Sequence, residues 1–161
     1  MTDRILTEEE QKTNLETKKH IGNVQKFIQI FIDALNNRGV NHDLSKLIDP
    51  ELPLFVEYTK KLSACTYGSD EYQKFLEGLK PALDHHYAKN RHHPEHYPNG
   101  IDDMTLVDII EMFCDWKAAT MRHNDGNLLK SIHHNGKRFY IDSQLTKIFE
   151  NTAELFDDKK V

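Results

Sequence analysis

Histidine is the residue type that stands out in this chain of 161 residues. There are ten histidines, and five of them lie within twelve consecutive positions. They are His85, His86, His92, His93 and His96. Neutral imidazole is the commonest protein ligand for transition metals. Because the segment is internal and also contains Asp, Pro and aromatic residues, it does not resemble an expression tag, and the alternative to a metal site is a solvated polar loop.

The pair His42-Asp43, followed by Lys46, is a second candidate. Adjacent side chains lie about 100° apart on a regular helix, but at a helix end or in an irregular turn both can reach one ion. On a helix Lys46 would share the face of Asp43, where its charge could neutralise a phosphate at the metal. The alternative is an Asp helix cap beside an unrelated histidine.

Two more candidates lie on the apolar faces of predicted helices. His20 precedes Ile28 by eight residues and is expected to point inward, as a ligand or as a core histidine with a hydrogen-bond partner. Asp115 is flanked by apolar residues, and an inward Asp needs a cation or a hydrogen-bond partner. Asp108 and Glu111 share its stripe, and for these two a solvated face is a sufficient explanation.

The elements that must position these residues are all predicted to be helical, because strand patterns are nearly absent. Helix starts are predicted at Thr7 with Glu10, at Asp49-Pro50-Glu51, at Ser69, at Thr105 with Asp108, and at Asp142. Gly39 is expected to end the first helix. Pro81 is expected to kink a helix or to begin another that reaches about Asn90.

The rest of the chain follows the same pattern. Residues 91–103 are predicted to be a loop, the next helix is expected to end near His123, and Gly126 and Gly136 bracket a short helix. We therefore expect an all-α fold, a compact bundle of about six or seven helices forming a single domain over residues 1–161. Residues 1–6 and 157–161 are expected to be frayed.

Composition limits the function classes. The formal net charge is −5, which argues against duplex nucleic acid as a partner. No apolar run approaches the roughly 20 residues of a membrane span, and no secretion signal is visible. Two cysteines are too few for a disulfide framework, so a cytoplasmic location is expected. Helical domains of this size often dimerise, so self-association is included among the expected partners.

The order of the candidates resembles the H…HD…D pattern of the HD-domain superfamily of metal-dependent phosphohydrolases. Its members here would be His20, His42-Asp43 and Asp115, and the segment from His42 to Lys46 is similar to the HDxxK variant. Two further features are similar to motifs of the cyclic-dinucleotide phosphodiesterase branch. One is a histidine pair, and the other is a helix in which an Asp is followed by an Ala and then by an Arg. The residues concerned are His85-His86 or His92-His93, then Asp115, Ala119 and Arg122. The whole sequence is also similar to an uncharacterised family found in bacteria and phages, from which no activity carries over.

The resemblance implies an HD-like fold and a metal-activated water that attacks a nucleotide or another small phosphate ester. The implied cofactor is a divalent transition metal, namely Mn, Fe, Co, Ni or Zn, as one or two ions. The implied ligands are His20, His42, Asp43 and Asp115, with one of His85 and His86. Lys46 and Arg122 would offset phosphate charge, while His92 or His93 would protonate the leaving group, bind phosphate or complete a second metal site.

Two departures keep alternatives open. The Gly-Tyr-Pro motif is absent, so cyclic-dinucleotide hydrolysis is not implied. The histidine that two-metal members carry between the His-Asp pair and the later His pair is missing from residues 44–84, so either a loop histidine replaces it or one metal binds. A di-iron oxygenase of the same fold and a non-catalytic binding or regulatory protein are the competing hypotheses.

Overall fold

The computed structural model describes residues 4–64, 69–122 and 126–156, and within these ranges the chain is helical with no strand. Its α-helices are α1 (Glu8–Asn41), α2 (Glu51–Ala64), α3 (Asp70–Lys89), α4 (Leu106–Thr120), α5 (Leu128–Arg138) and α6 (Ser143–Ala153). Short 3-10 turns lie at Leu44–Leu47, Pro94–His96, Gly100–Asp103 and Glu154–Phe156. The prediction of an all-α fold with about six or seven helices is therefore confirmed.

The chain divides into two compact units, Met1–Val40 and Asn41–Val161. The first consists mainly of α1, which begins with the predicted capping box. The Thr7 amide donates to Glu10 Oε2 over 2.8 Å, and the Glu10 amide donates to Thr7 Oγ1 over 3.2 Å. The apolar row of this helix, predicted to face a core, is exposed, with Ile28 53% accessible. The single domain over residues 1–161 stays a prediction.

The end of α1 differs from the prediction. Gly39 was expected to end the helix, but the helix runs on to Asn41. The left-handed residue that follows is instead Asp43, with φ 58°. Asp, like Asn, tolerates this conformation better than most residues because its short polar side chain can bond locally. The helix therefore ends two residues later than predicted, and the left-handed residue is Asp43, four positions after Gly39.

In the second unit, most of the predicted helix starts are confirmed. Ser69 caps α3, Thr105 and Asp108 form a capping box for α4, and Asp142 caps α6. Helix α2 begins at Glu51, directly after Pro50. Helix α3 continues through Pro81 without a break and ends at Lys89. The prediction of a separate fourth helix after Pro81 is therefore wrong.

The core of the second unit joins its last three helices. Buried side chains of α4, α5 and α6 pack together: Met112, Phe113, Trp116, Ile132 and Phe149. The rings of Phe113 and Phe149 stack with centroids 5.0 Å apart. Because Met112, Phe113 and Trp116 fix one face of α4 in this core, the adjacent face, which carries Glu111 and Asp115, is held in a defined direction.

Within the described ranges, no helix is both long and apolar enough to cross a membrane. The expected fraying of residues 1–3 and 157–161, and the expected helix end near His123, lie outside the described residues.

Candidate metal centre

The turn after α1 brings His42 and Asp43 to one place. His42 Nε2 lies 3.6 Å from Asp43 Oδ2 and 3.6 Å from Asp115 Oδ1 on α4. On a regular helix adjacent side chains point about 100° apart, but the positive φ of Asp43 takes the chain out of the helix. Strained backbone of this kind is common where a side chain must be aimed at a functional site.

Three more histidines reach Asp43 from α3 and from the loop that follows it. His86 Nε2 lies 3.2 Å from Asp43 Oδ1, and His92 Nε2 lies 3.5 Å from the same oxygen. His93 Nε2 lies 2.9 Å from His86 Nε2. Potential ligand atoms within 4.8 Å of one another form two sets, one of Asp43, His86, His92 and His93, the other of His42, His92 and Asp115. We call these six residues the histidine–aspartate cluster.

Glu51, at the start of α2, holds the outer nitrogen of His86. The side chain of Glu51 is fully buried, and its Oε2 lies 2.9 Å from His86 Nδ1 while its Oε1 lies 2.7 Å from His85 Nδ1. An ionised carboxylate can only accept hydrogen bonds, so both Nδ1 atoms donate to it. In a neutral His86 ring, Nε2 is then left with a lone pair, and this is the atom that faces Asp43.

Glu111, on α4, holds the outer nitrogens of His42 and His92 in the same way. Its Oε1 lies 3.0 Å from His42 Nδ1 and 3.2 Å from His92 Nδ1. By the same argument, the Nε2 atoms of His42 and His92 are left to face the cluster. A histidine whose outer N–H bonds a carboxylate while its inner nitrogen points to a common centre has the arrangement of metal-ligating histidines in proteins.

Two inner atoms of the cluster lack hydrogen-bond partners. Asp43 Oδ1 and His92 Nε2 are buried and make no hydrogen bond, although each lies close to other nitrogen or oxygen atoms. Buried polar atoms are rarely left unsatisfied, and an ion is one of the ordinary reasons when they are. The Nε2 atoms of His86 and His93 lie 2.9 Å apart. Adjacent ligands that are each about 2.1 Å from one ion lie about 3.0 Å apart in octahedral and about 3.4 Å apart in tetrahedral geometry, so a small movement of either ring would suit an ion.

The electrostatics of the cluster favour a positive charge at its centre. Contacts with Asp115 and Glu111 raise the pKa of His42 to about 10, against the opposing effect of burial. Burial acts to raise the pKa of Asp43, but the His86 imidazole and the Lys46 ammonium hold it well below its usual value. Burial and the neighbouring His92 lower the pKa of His93 to about 3. The carboxylates therefore attract positive charge, which protonated His42 supplies when no ion is bound. Neutral His93 has a lone pair to offer a cation.

The remaining predicted residues are not among the ligand atoms of the cluster. Lys46 Nζ donates to Asp43 Oδ2 over 2.6 Å, at the edge of the cluster. Of the pair His85-His86, His86 belongs to the cluster, whereas His85 bonds Glu51 from outside it. His20 is exposed on α1, and Arg122 is exposed in the turn after α4, so the roles of both stay predictions.

A solvated face does not describe Asp108 and Glu111. Asp108 is fully buried, and its two carboxylate oxygens accept from Arg91 over 3.1 Å each. Glu111 is only 9% exposed and contacts two histidines of the cluster. From polarity alone a solvated face is sufficient for these two residues, but both find partners from other parts of the chain.

Two functional candidates, Glu51 and Glu111, were missed by reasoning from the sequence. Glu51 was interpreted as a first-turn acid of α2, which it also is. The available signal for Glu111 was its place four residues before Asp115 on a helix with a largely apolar remainder. Neither pattern identifies which histidine a glutamate bonds, because the partners lie 19 to 69 positions away in the chain.

Comparison with known proteins identifies the family of this chain without an activity. A protein-family model described as a family of unknown function (DUF5662) matches residues 9–156. The match covers most of the chain, which therefore belongs to this family. Neither the curated proteins nor the solved structures contain a match.

Proposed function

We propose that this member of the DUF5662 family is a metal-dependent phosphohydrolase that acts on a nucleotide or another small phosphate ester. One observation carries the proposal: the Nε2 atoms of His42, His86 and His92 converge on Asp43 while glutamates hold their Nδ1 atoms. The resemblance of His42-Asp43 and Asp115 to the H…HD…D pattern supports the same reaction class.

The donor set fits a transition metal. Imidazole nitrogen with carboxylate oxygen suits Mn, Fe, Co, Ni and Zn, whereas Ca and Mg prefer all-oxygen sites. Asp43 stands between the two ligand sets, with Oδ1 toward His86 and His92 and Oδ2 toward His42. We therefore propose that the cluster would hold one or two divalent ions, with His92 and His93 as ligands in place of the missing earlier histidine.

A divalent ion bound here would supply an acidified water and would polarise a phosphoryl oxygen. The residues of the chain would do the rest. Glu51 and Glu111 keep the imidazoles in the tautomer with Nε2 inward, and Lys46 places a positive charge at the edge of the cluster, where the phosphate oxygens would lie. Because the inner nitrogens of His92 and His93 lie among the ligand atoms, a ligand role fits them better than protonation of the leaving group.

The metal is tested first. The protein is purified without chelator, and bound metals are quantified for the wild type, for the double variant Asp43→Asn/Asp115→Asn, and for the control Asp84→Asn. Asp84 is an exposed aspartate of α3 that pairs with Lys80. We expect one or two equivalents of a transition metal in the wild type and the control, and loss of it in the double variant. Absence of metal from all three, even after excess divalent ions are added, would contradict the proposal.

The reaction class is tested with the metal-loaded protein. Nucleotides and model phosphate esters are incubated with it, and release of inorganic phosphate is measured. We expect hydrolysis that the double variant lacks. Iron with colour and oxygen consumption but no phosphate release would instead support a di-iron oxygenase, and metal binding without any turnover would support a binding or regulatory protein.

The remaining parts of the proposal concern partners and location. The expected partner is the phosphate-containing substrate, and the expected location is the cytoplasm, where exposed Cys114 would stay reduced. Self-association stays a prediction without a residue-level case.

A further inference from the structure

A cavity of about 220 Å³ opens against the histidine–aspartate cluster, within the second unit. His92, His93 and Asp115 of the cluster form one wall. The rest of the lining comes from other residues of α4, from α5 and from Phe139, which follows α5. A molecule with a phosphate at the cluster would therefore extend its organic group into this space.

The walls have two chemically distinct parts. Trp116 and Met112 are buried core residues that present an apolar surface, and Phe139 adds a second ring. Ser131, Asn135 and Arg138 follow one another along one face of α5 at spacings of four and three residues. An apolar slot beside a short row of hydrogen-bonding groups is the usual composition of a small-molecule site.

Arg138 retains donors for a ligand. Its Nη2 donates to Glu95 Oε1 over 2.7 Å, and its side chain is 51% exposed. The guanidinium also bonds the Tyr87 hydroxyl and lies over the Phe139 ring. A guanidinium carries five N–H donors in a planar fork, so one ion pair does not exhaust it. Glu95 offsets its charge, which favours recognition of a hydrogen-bond acceptor over recognition of a second phosphate.

The size of the cavity limits the ligand. About 220 Å³ is below the roughly 300–1,000 Å³ of pockets that enclose drug-sized ligands, and corresponds to about seven water molecules at about 30 Å³ each. This is room for one small ring. The cavity is only partly enclosed, so the second ring of a complete nucleoside, with a base and a ribose, would lie outside it in solvent.

We infer that this cavity is the substrate pocket and that the substrate is a phosphate monoester whose organic group is one small ring with a hydrogen-bond acceptor. The ring lies against Trp116, and the acceptor faces Asn135 and Arg138. The inference rests on the proposed phosphohydrolase function and selects the small ester over the nucleotide.

The test uses Trp116, which is the single tryptophan of the chain, as a reporter. Protein with its bound metal is titrated with phenylphosphonate, which cannot be hydrolysed, and methylphosphonate is measured by competition. We expect a saturable change in tryptophan fluorescence and about tenfold tighter binding of the phenyl compound, because its ring leaves water. A nucleoside phosphonate is expected to bind no more tightly than methylphosphonate.

Variants separate the pocket from the cluster. Ser131→Leu fills the cavity and should remove the preference for the phenyl compound while the affinity for methylphosphonate is retained. The control His134→Leu, at an exposed position of the same helix, should change neither affinity. Because Arg138 is half-exposed, the Arg138→Ala variant should fold even if the Ser131→Leu variant does not. It should weaken 4-carboxyphenylphosphonate about tenfold and leave phenylphosphonate unchanged.

The outcomes distinguish the two proposals. Equal affinities for the phenyl and methyl compounds, or a preference that survives both Ser131→Leu and Arg138→Ala, would overturn the pocket and leave the phosphohydrolase proposal standing. Failure of both phosphonates to bind the metal-loaded protein would overturn the inference together with the phosphate-ester function on which it rests.

Discussion

At the scale of single residues, the outer hydrogen bonds of the imidazoles decide what the cluster can bind. Glu51 accepts from two Nδ1 atoms and Glu111 lies against two more. Each glutamate thereby fixes the tautomer and the ring orientation of two histidines. In characterised metal sites, loss of the group that bonds the outer nitrogen of a ligating histidine lowers metal affinity about 10–100-fold.

Glu51→Gln tests this point. A carboxamide cannot accept from both His85 and His86 in the way a carboxylate does, so one ring must rotate or change tautomer. We expect metal affinity to fall about 10–100-fold, measured by competition with a chelator, together with a shifted absorption spectrum of the Co²⁺ form. The control is Glu57→Gln, an exposed residue of the same helix that pairs with Lys61. Unchanged affinity and spectrum in a folded Glu51→Gln variant would contradict the positioning role.

The sequence predicted the inner residues of the site better than the outer ones. His42, Asp43 and Asp115 were recognisable because their types and spacing suit a metal whatever their neighbours are. The choice of His86 over His85 was not predictable, because it depends on where α3 presents each ring relative to the turn at Asp43. The roles of Glu51 and Glu111 depend on contacts between distant segments, which no local pattern contains.

At the scale of elements, one face of α4 packs into the core and the adjacent face supplies residues to the cluster. Met112, Phe113 and Trp116 pack into the core, while Glu111 and Asp115 face the cluster. Asp108 completes the capping box in the first turn of the helix and also accepts from Arg91. The start of α4 is therefore tied to the loop that carries His92 and His93. The capping box was predicted from Thr105 and Asp108, but the link to Arg91 was not.

Asp108→Asn should destabilise the protein in a pH-dependent way. Burial acts to raise the pKa of Asp108, but Arg91 and Thr105 hold it well below its usual value. A lowered pKa in the folded state means stability that is fully present above the unfolded pKa of about 3.9 and is lost as pH falls through the folded pKa. We expect the variant to be about 2 kcal/mol less stable at neutral pH, with the difference shrinking below about pH 4. Denaturant unfolding at several pH values checks this, and a constant difference would contradict it.

Gly78→Ala tests how α3 packs against α2. A Cβ at Gly78 would overlap the ring of Tyr58 on α2, so the ring or the helix must move. We expect a loss of about 1–2 kcal/mol in the free energy of unfolding, although alanine favours a helix over glycine by about 1 kcal/mol. Gly136→Ala on α5 is the matched control, because a Cβ there meets Thr146 Oγ1 at an ordinary 3.8 Å. A Gly78→Ala variant as stable as this control would show that the ring moves freely.

At the scale of the whole molecule, the cluster joins segments that are far apart in sequence. Its residues come from the turn after α1, from α3, from the following loop and from α4. Helix types and most helix starts were predictable because caps and apolar spacing are local. The surface that covers the apolar row of α1 is not predictable in this way, because an apolar stripe does not specify its partner.

Metal should therefore stabilise the folded chain. An ion that binds only the folded state at a free concentration of 100 times its dissociation constant adds about 2.7 kcal/mol. For a chain of this size this corresponds to about 5–10 °C in Tm. We expect this rise in thermal unfolding with Mn²⁺, Co²⁺ or Zn²⁺, and its absence in Asp43→Asn/Asp115→Asn. An equal rise in that variant would place the binding elsewhere.

The measurement that tests the central claim most directly is anomalous X-ray diffraction from crystals of the protein grown with a transition metal. The predicted result is one or two strong peaks at the absorption edge of that metal, each about 2.0–2.2 Å from ligand atoms of the cluster. At least one peak should contact Asp43 together with His86. No peak at the cluster in crystals that contain the metal, with His42, His86 and His92 bonded to one another or to water instead, would contradict the assignment of this site as a metal centre.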